Sequence, residues 1–117
     1  LSGIKFEVMA RSALERMSED EVVEYVIRRA KEGSVVVFEG QLSPQVLTKI
    51  IEEAMKNVDL EEFKGVDIHV VPPKTAGGGI IKKIFGRKFD TGITVISPAG
   101  ALKDLKKGED YISLKLG

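Results

Sequence analysis

The chain has 117 residues, 43% apolar and 31% charged, with no cysteine and one histidine. That suits one domain around one core, rules out disulfides and thiol catalysis, and argues against a zinc site. Net charge is zero, and no run approaches the roughly 18 apolar residues of a membrane-spanning helix. The N-terminus has no charged-then-apolar signal pattern, and the absence of cysteine fits the expected cytoplasmic location.

Residues 4–9 alternate apolar and polar, which predicts a strand with one buried face. Residues 10–17 form a connection with a short helical turn around Ala13 to Arg16. Ser18 opens a helix. Ser18 and Glu21 have capping-box spacing, and Met17 and Val22 have staple spacing. Acidic Glu19, Asp20 and Glu21 suit the positive end of the helix dipole, and Arg28, Arg29 and Lys31 suit the negative end. Val22, Val23, Val26, Ile27 and Ala30 form one apolar stripe, and Gly33 is the stop.

The run Val35-Val36-Val37-Phe38 reads as a central strand buried on both faces. Ser43-Pro44 starts a second helix, and Val46, Leu47, Ile50, Ile51, Ala54, Met55 and Val58 recur along it at helical spacing. Leu60 and Phe63 are expected to pack inward from a polar link. Residues 66–70 alternate as a third strand, ended by Pro72-Pro73. Residues 91–97 read as a fourth strand, 101–107 as a short helix with Leu102 and Leu105 inward, and 111–116 as a last strand.

The predicted fold is α/β: a two-layer sandwich with a mixed five-stranded sheet and two long helices on one face. The order is β-α-β-α-β-β-short α-β. The first two units are right-handed crossovers between parallel strands, and the third and fourth strands are antiparallel. A three-layer arrangement is the alternative. Much of one sheet face is left without helices and could serve as a homodimer surface. Residues 1–117 form a single domain.

Charge is unevenly spread. Residues 1–73 carry 9 basic and 14 acidic side chains, and residues 74–90 carry 5 and 1. An acidic scaffold therefore holds a basic segment. That segment also contains Ile80, Ile81, Ile84, Phe85 and Phe89 after the glycines 77–79. The glycines lack the Lys-Ser/Thr of a phosphate loop and the G-x-G-x-x-G spacing of a dinucleotide fold. His69 on an alternating strand reads as a sheet residue, and no serine has an evident partner base. Glu39 ends the central strand, where function often sits in α/β folds, although bonding to the Gly40 turn is its simpler role. No catalytic, cofactor or metal residues are predicted.

The candidate contact residues are Lys82, Lys83, Ile84, Phe85, Arg87 and Lys88. An anionic membrane would attract each cation by about 1 kcal/mol and accept each apolar side chain for about 1.5–3 kcal/mol. A partner's groove would take the same segment as an amphipathic helix. Nucleic acid suits the charge but finds only two phenylalanines for stacking. The plain alternative is a covered hairpin loop whose Ile and Phe residues join the core.

The chain resembles the archaeal OapB/ArvB family. The likeness rests on Glu39-Gly40-Gln41-Leu42-Ser43-Pro44, residues 62–68, Ile84-Phe85-Gly86-Arg87 and residues 93–99 leading to Glu109-Asp110. Ser97-Pro98 departs from the expected Gly-Pro. The resemblance implies a cytosolic protein associated with a Ras-like small GTPase, in a set linked to membrane vesicle formation, and it brings no catalytic residues. The expected function is a non-enzymatic adaptor, peripheral to the membrane if residues 74–90 touch it, with a nucleic-acid-binding module as the alternative.

Overall fold

The computed structural model describes residues 4–59, 61–71, 92–107 and 112–116, with side chains up to Leu102. The elements are β1 (Phe6–Met9), α1 (Arg11–Glu15), α2 (Glu19–Lys31), β2 (Val35–Glu39), α3 (Pro44–Lys56), β3 (Val66–Val71), β4 (Ile93–Pro98), β5 (Leu102–Lys107) and β6 (Ile112–Leu116). Leu60 and the turn at 108–110 lie outside the described residues, as does the 74–90 segment.

Local signals explain the helix ends. The Ser18 hydroxyl accepts from the Glu21 backbone N–H at 3.1 Å, and the Glu21 carboxylate accepts from the Ser18 N–H at 2.9 Å. This is the reciprocal capping box the spacing predicts. At the other end, Gly33 N–H bonds Ala30 O and Ser34 N–H bonds Arg29 O. Closing that pair needs a left-handed residue, and Gly33 has φ 87°. Ser43 caps α3 by accepting from Val46 N–H, with Pro44 in the first turn.

The main sheet has four strands in the order β1-β2-β4-β3. β1 and β2 are parallel, and β4 runs antiparallel to both β2 and β3. β3 is therefore parallel to β2, with β4 filling the gap between them. The crossovers through α2 and α3 step the same way across the sheet. With right-handed crossovers, two steps in one direction put both helices on one face. On that face Val22, Val26 and Ile27 of α2 and Ile50 and Ala54 of α3 share one cluster with Val36, Phe38, Ile96 and Phe63.

Two expectations are corrected. Residues 101–107 are not a short helix, because Leu102–Lys107 is β5, paired antiparallel with β6 in a separate two-stranded ribbon. The last strand therefore does not join the main sheet, which has four strands and not five. A register shift between Lys103 and Lys106 adds a residue to β5. The three-residue spacing of Leu102 and Leu105 suits a helical turn, but it suits a bulged strand equally well. Pairing with β6 decided between the two.

The sheet face away from the helices is not open across its width. The β1–β2 register places Val35 on that face, and the β3–β4 register adds Val71, Val95 and Ser97. All four are buried, whereas Val8 at the β1 edge of the same face is 74% exposed.

A polar tether joins β1 to α2. The Tyr25 hydroxyl donates to Glu7, and Arg29 Nε lies 3.1 Å from the same carboxylate, close enough for an ion pair though not aligned for a hydrogen bond. The Tyr25 bond, with help from Lys5 and Arg29, holds the Glu7 carboxyl below its usual range. A lowered folded-state value means the tether stabilises above the ordinary carboxylate range and loses that contribution as pH falls through the lowered value. Glu7→Gln is therefore expected to be less stable at pH 7 by about 1 kcal/mol, the scale of one net hydrogen bond. The gap from wild type should narrow in urea melts as pH falls through the lowered value, where both chains become neutral at this position. A gap that stays constant however far pH is lowered below the ordinary carboxylate range would refute the tether.

Candidate functional site

The three parallel strands end together. Met9, Glu39 and Val71 are their last residues, and Ile93 begins β4 beside them. Ile93 is in register with Glu39 on one side and with Val71 on the other. The connection between β3 and β4 thus leaves and returns at adjacent points on this sheet end. The segment 74–90 belongs to that connection, so its base sits next to the Glu39-Gly40-Gln41 turn.

The base is tied down by a buried bond. Thr94 is fully buried, and its hydroxyl donates to the Gly40 carbonyl at 2.9 Å. Gly40 has φ 133°, a backbone region that L side chains rarely adopt. It is Thr94, not Glu39, that bonds this turn. Thr94→Val keeps the shape and leaves the carbonyl without its donor, so a loss of about 1–3 kcal/mol is expected in chemical denaturation. An unchanged midpoint would show that the bond does not hold the turn.

A cleft of about 340 Å³ lies at this end, lined by Arg11, Leu14, Glu15, Glu39, Gly40 and Gln41. Arg11 Nε is paired with Glu15 at 2.9 Å. Such an exposed pair contributes little to stability. α1, short as it is, closes one side of the cleft.

A larger groove, about 730 Å³, runs between α2 and α3. Lys49 bridges it to Glu19 at 3.0 Å and Asp20 at 3.8 Å, and Lys31 reaches Asn57 at 3.3 Å. The bond to Glu19 raises the Lys49 ammonium above its ordinary value. Its rim is made of opposite charges, with Val23 and Ile27 below. These are the solvated faces of two packed helices.

The predicted contact residues, Lys82, Lys83, Ile84, Phe85, Arg87 and Lys88, lie outside the described residues. The structure positions the strands that carry them. It also brings together three residues that sequence reasoning kept apart: Asp67, His69 and Ser97 share one face of β3 and β4, with Asp67 opposite Ser97. They do not form a nucleophile and base, because Ser97 Oγ is buried without a hydrogen-bond partner. Asp67 instead accepts from the Gly100 N–H at 3.0 Å. The cross-strand register, invisible in the sequence, was the missing signal. Among the described residues no group of three His, Cys, Asp or Glu side chains could hold a metal ion. Nor, among them, is any helix long and apolar enough to cross a membrane.

A family model described as "Origin-associated protein OapB" matches residues 14–116. No curated protein matches the chain, and no solved structure does.

Proposed function

The chain belongs to the OapB family of origin-associated proteins, and on that premise we propose that it is a non-enzymatic adaptor whose contact is the basic and apolar segment 74–90. The observation that carries this reading is the base of the segment. Val71 and Ile93 are paired at the same sheet end as the Glu39–Gln41 turn, and Thr94 is bonded to that turn. A rigid base of this kind fixes where a connecting segment meets a partner, as recognition loops on sheet scaffolds do. The partner inferred from the family resemblance is a Ras-like small GTPase. An anionic membrane is the accompanying surface, where Lys82, Lys83, Arg87 and Lys88 would meet phosphates and Ile84 and Phe85 would enter the interface.

The test uses the full chain beside Ile84→Ser/Phe85→Ser. Each is sedimented with anionic and neutral vesicles, and each is used to capture a Ras-like GTPase loaded with GDP or a non-hydrolysable GTP analogue. Capture of the GTPase, or sedimentation with anionic vesicles alone, is expected for wild type. The double variant should lose at least about tenfold in either assay, the effect of removing two buried apolar contacts. Absence of both interactions in wild type would overturn the adaptor reading.

The printed family description favours one further reading, a nucleic-acid contact by the same cations. Phosphate tracking depends on charge, so the Ile84→Ser/Phe85→Ser variant would still bind duplex DNA with a steep salt dependence. Retained DNA binding in that variant would replace the adaptor reading with this one.

A further inference from the structure

One edge of the main sheet is β1, which pairs with β2 alone among the described residues. The Val35 N–H bonds the Lys5 carbonyl. In a parallel ladder that bond turns the main-chain groups of Lys5, Glu7 and Met9 toward β2 and leaves those of Ile4, Phe6 and Val8 on the outer side. The side chains alternate in the same rhythm. Glu7 points to the helices, where Tyr25 and Arg29 hold it. Phe6 and Val8 lie on the opposite face and are 37% and 74% exposed. The strand holds no proline, and its register with β2 runs without a bulge. An edge with outward main-chain groups and exposed apolar side chains is a template for another strand.

Residues 4–8 read Ile-Lys-Phe-Glu-Val, a sequence that complements its own reverse. Laid antiparallel on a second copy with Phe6 opposite Phe6, Ile4 meets the partner's Val8 and Lys5 meets the partner's Glu7. We propose that β1 is the docking edge for β1 of a second copy of this chain, joined in that register about a twofold axis normal to the sheet.

Main-chain geometry, side-chain face and charge agree on this register. The outward residues Ile4, Phe6 and Val8 fall opposite one another, and each such pair exchanges two main-chain bonds. Their side chains stay on the face away from the helices in both copies. Lys5 and the partner's Glu7 fall at the intervening positions, where opposed side chains approach most closely. Lys5 already reaches the Glu7 of its own strand at 3.2 Å, so the same carboxylate is in range for a lysine directly across from it. A slip of one residue would carry one copy's apolar set to the helix face. A slip of two in either direction sets Glu7 against Glu7 or Lys5 against Lys5, and like charges directly opposite destabilise a pair. This charge complementarity is what selects a second copy over an unrelated strand. The contact draws neither on the segment 74–90 nor on the Glu39–Gln41 turn, so its failure would leave the adaptor reading intact.

The experiment is sedimentation equilibrium of the full chain, wild type beside Val8→Lys, with oxidative cross-linking of Phe6→Cys and Val8→Cys as the test of register. Wild type is expected to associate as concentration rises. Val8→Lys should associate at least about tenfold more weakly, because it loses the apolar contact with the partner's Ile4. Val8 is exposed, so that variant should melt as wild type does. The chain has no cysteine of its own. In the proposed register Phe6→Cys sets two Cα atoms about 5.5 Å apart, within disulfide reach, whereas Val8→Cys sets them about 13 Å apart. Phe6→Cys should therefore cross-link and Val8→Cys should not, although Val8 is the more exposed of the two. Association unchanged by Val8→Lys, or cross-linking led by Val8→Cys, would overturn the proposal. So would a wild type that stays monomeric, which would leave the edge to an extended segment of another protein.

Discussion

Phe38→Ala is expected to lower the stability of the chain by about 3–5 kcal/mol in urea denaturation, with Phe38→Leu losing much less. Phe38 is completely buried. It lies on the inner strand β2, in register with Met9 of β1 and Thr94 of β4, and belongs to the cluster that α2 and α3 cover. Neighbours fixed on two adjacent strands and two helices cannot easily collapse into the space the ring leaves, so the cavity term adds to the lost burial. A domain of this size has about 5–15 kcal/mol in total, so the variant would fall near the edge of folding. The effect would also reach the candidate site, because Phe38 precedes Glu39 and the Gly40 turn. A loss under about 1 kcal/mol would mean that the β2 core is not packed as described.

Ile50→Ala and Ile51→Ala make the second test, since two adjacent identical residues should behave differently. Ile50 is fully buried and Ile51 is 51% exposed. The first should cost about 2–5 kcal/mol. The second should stay within about 0.5 kcal/mol. Both isoleucines belong to the apolar periodicity of α3, and the sequence alone ranks them equally. Their 100° separation around the helix decides which one joins the buried cluster and which one faces outward. Equal losses would place the Ile51 face in the core.

Much of the scaffold was legible because its signals are local. The Ser18–Glu21 box, the Ser43-Pro44 start and the Gly33 stop each act within one helical turn, and all three are where the sequence places them. The antiparallel relation of β3 and β4 also followed from chain order. The error at 101–107 has the opposite origin. Leu102-Lys103-Asp104-Leu105 carries apolar spacing that a helix and a bulged strand both accommodate, and a partner strand outside that stretch made the choice. The Thr94 bond to Gly40 joins residues 54 positions apart, and no local pattern announces it.

The same division holds for the chain as a whole. Composition and periodicity by themselves determined an α/β domain with two amphipathic helices and a basic, apolar segment on an acidic scaffold, because capping, dipole and stripe signals act between residues a turn or two apart. Only the tertiary structure decided that β4 lies between β2 and β3, that β5 and β6 pair with each other, that the second sheet face is buried at its centre, and that the base of the segment stands beside the Glu39–Gln41 turn. Each of those depends on hydrogen bonds and packing between residues far apart in the chain, and such contacts are chosen by the fold as a unit rather than by any one stretch of it.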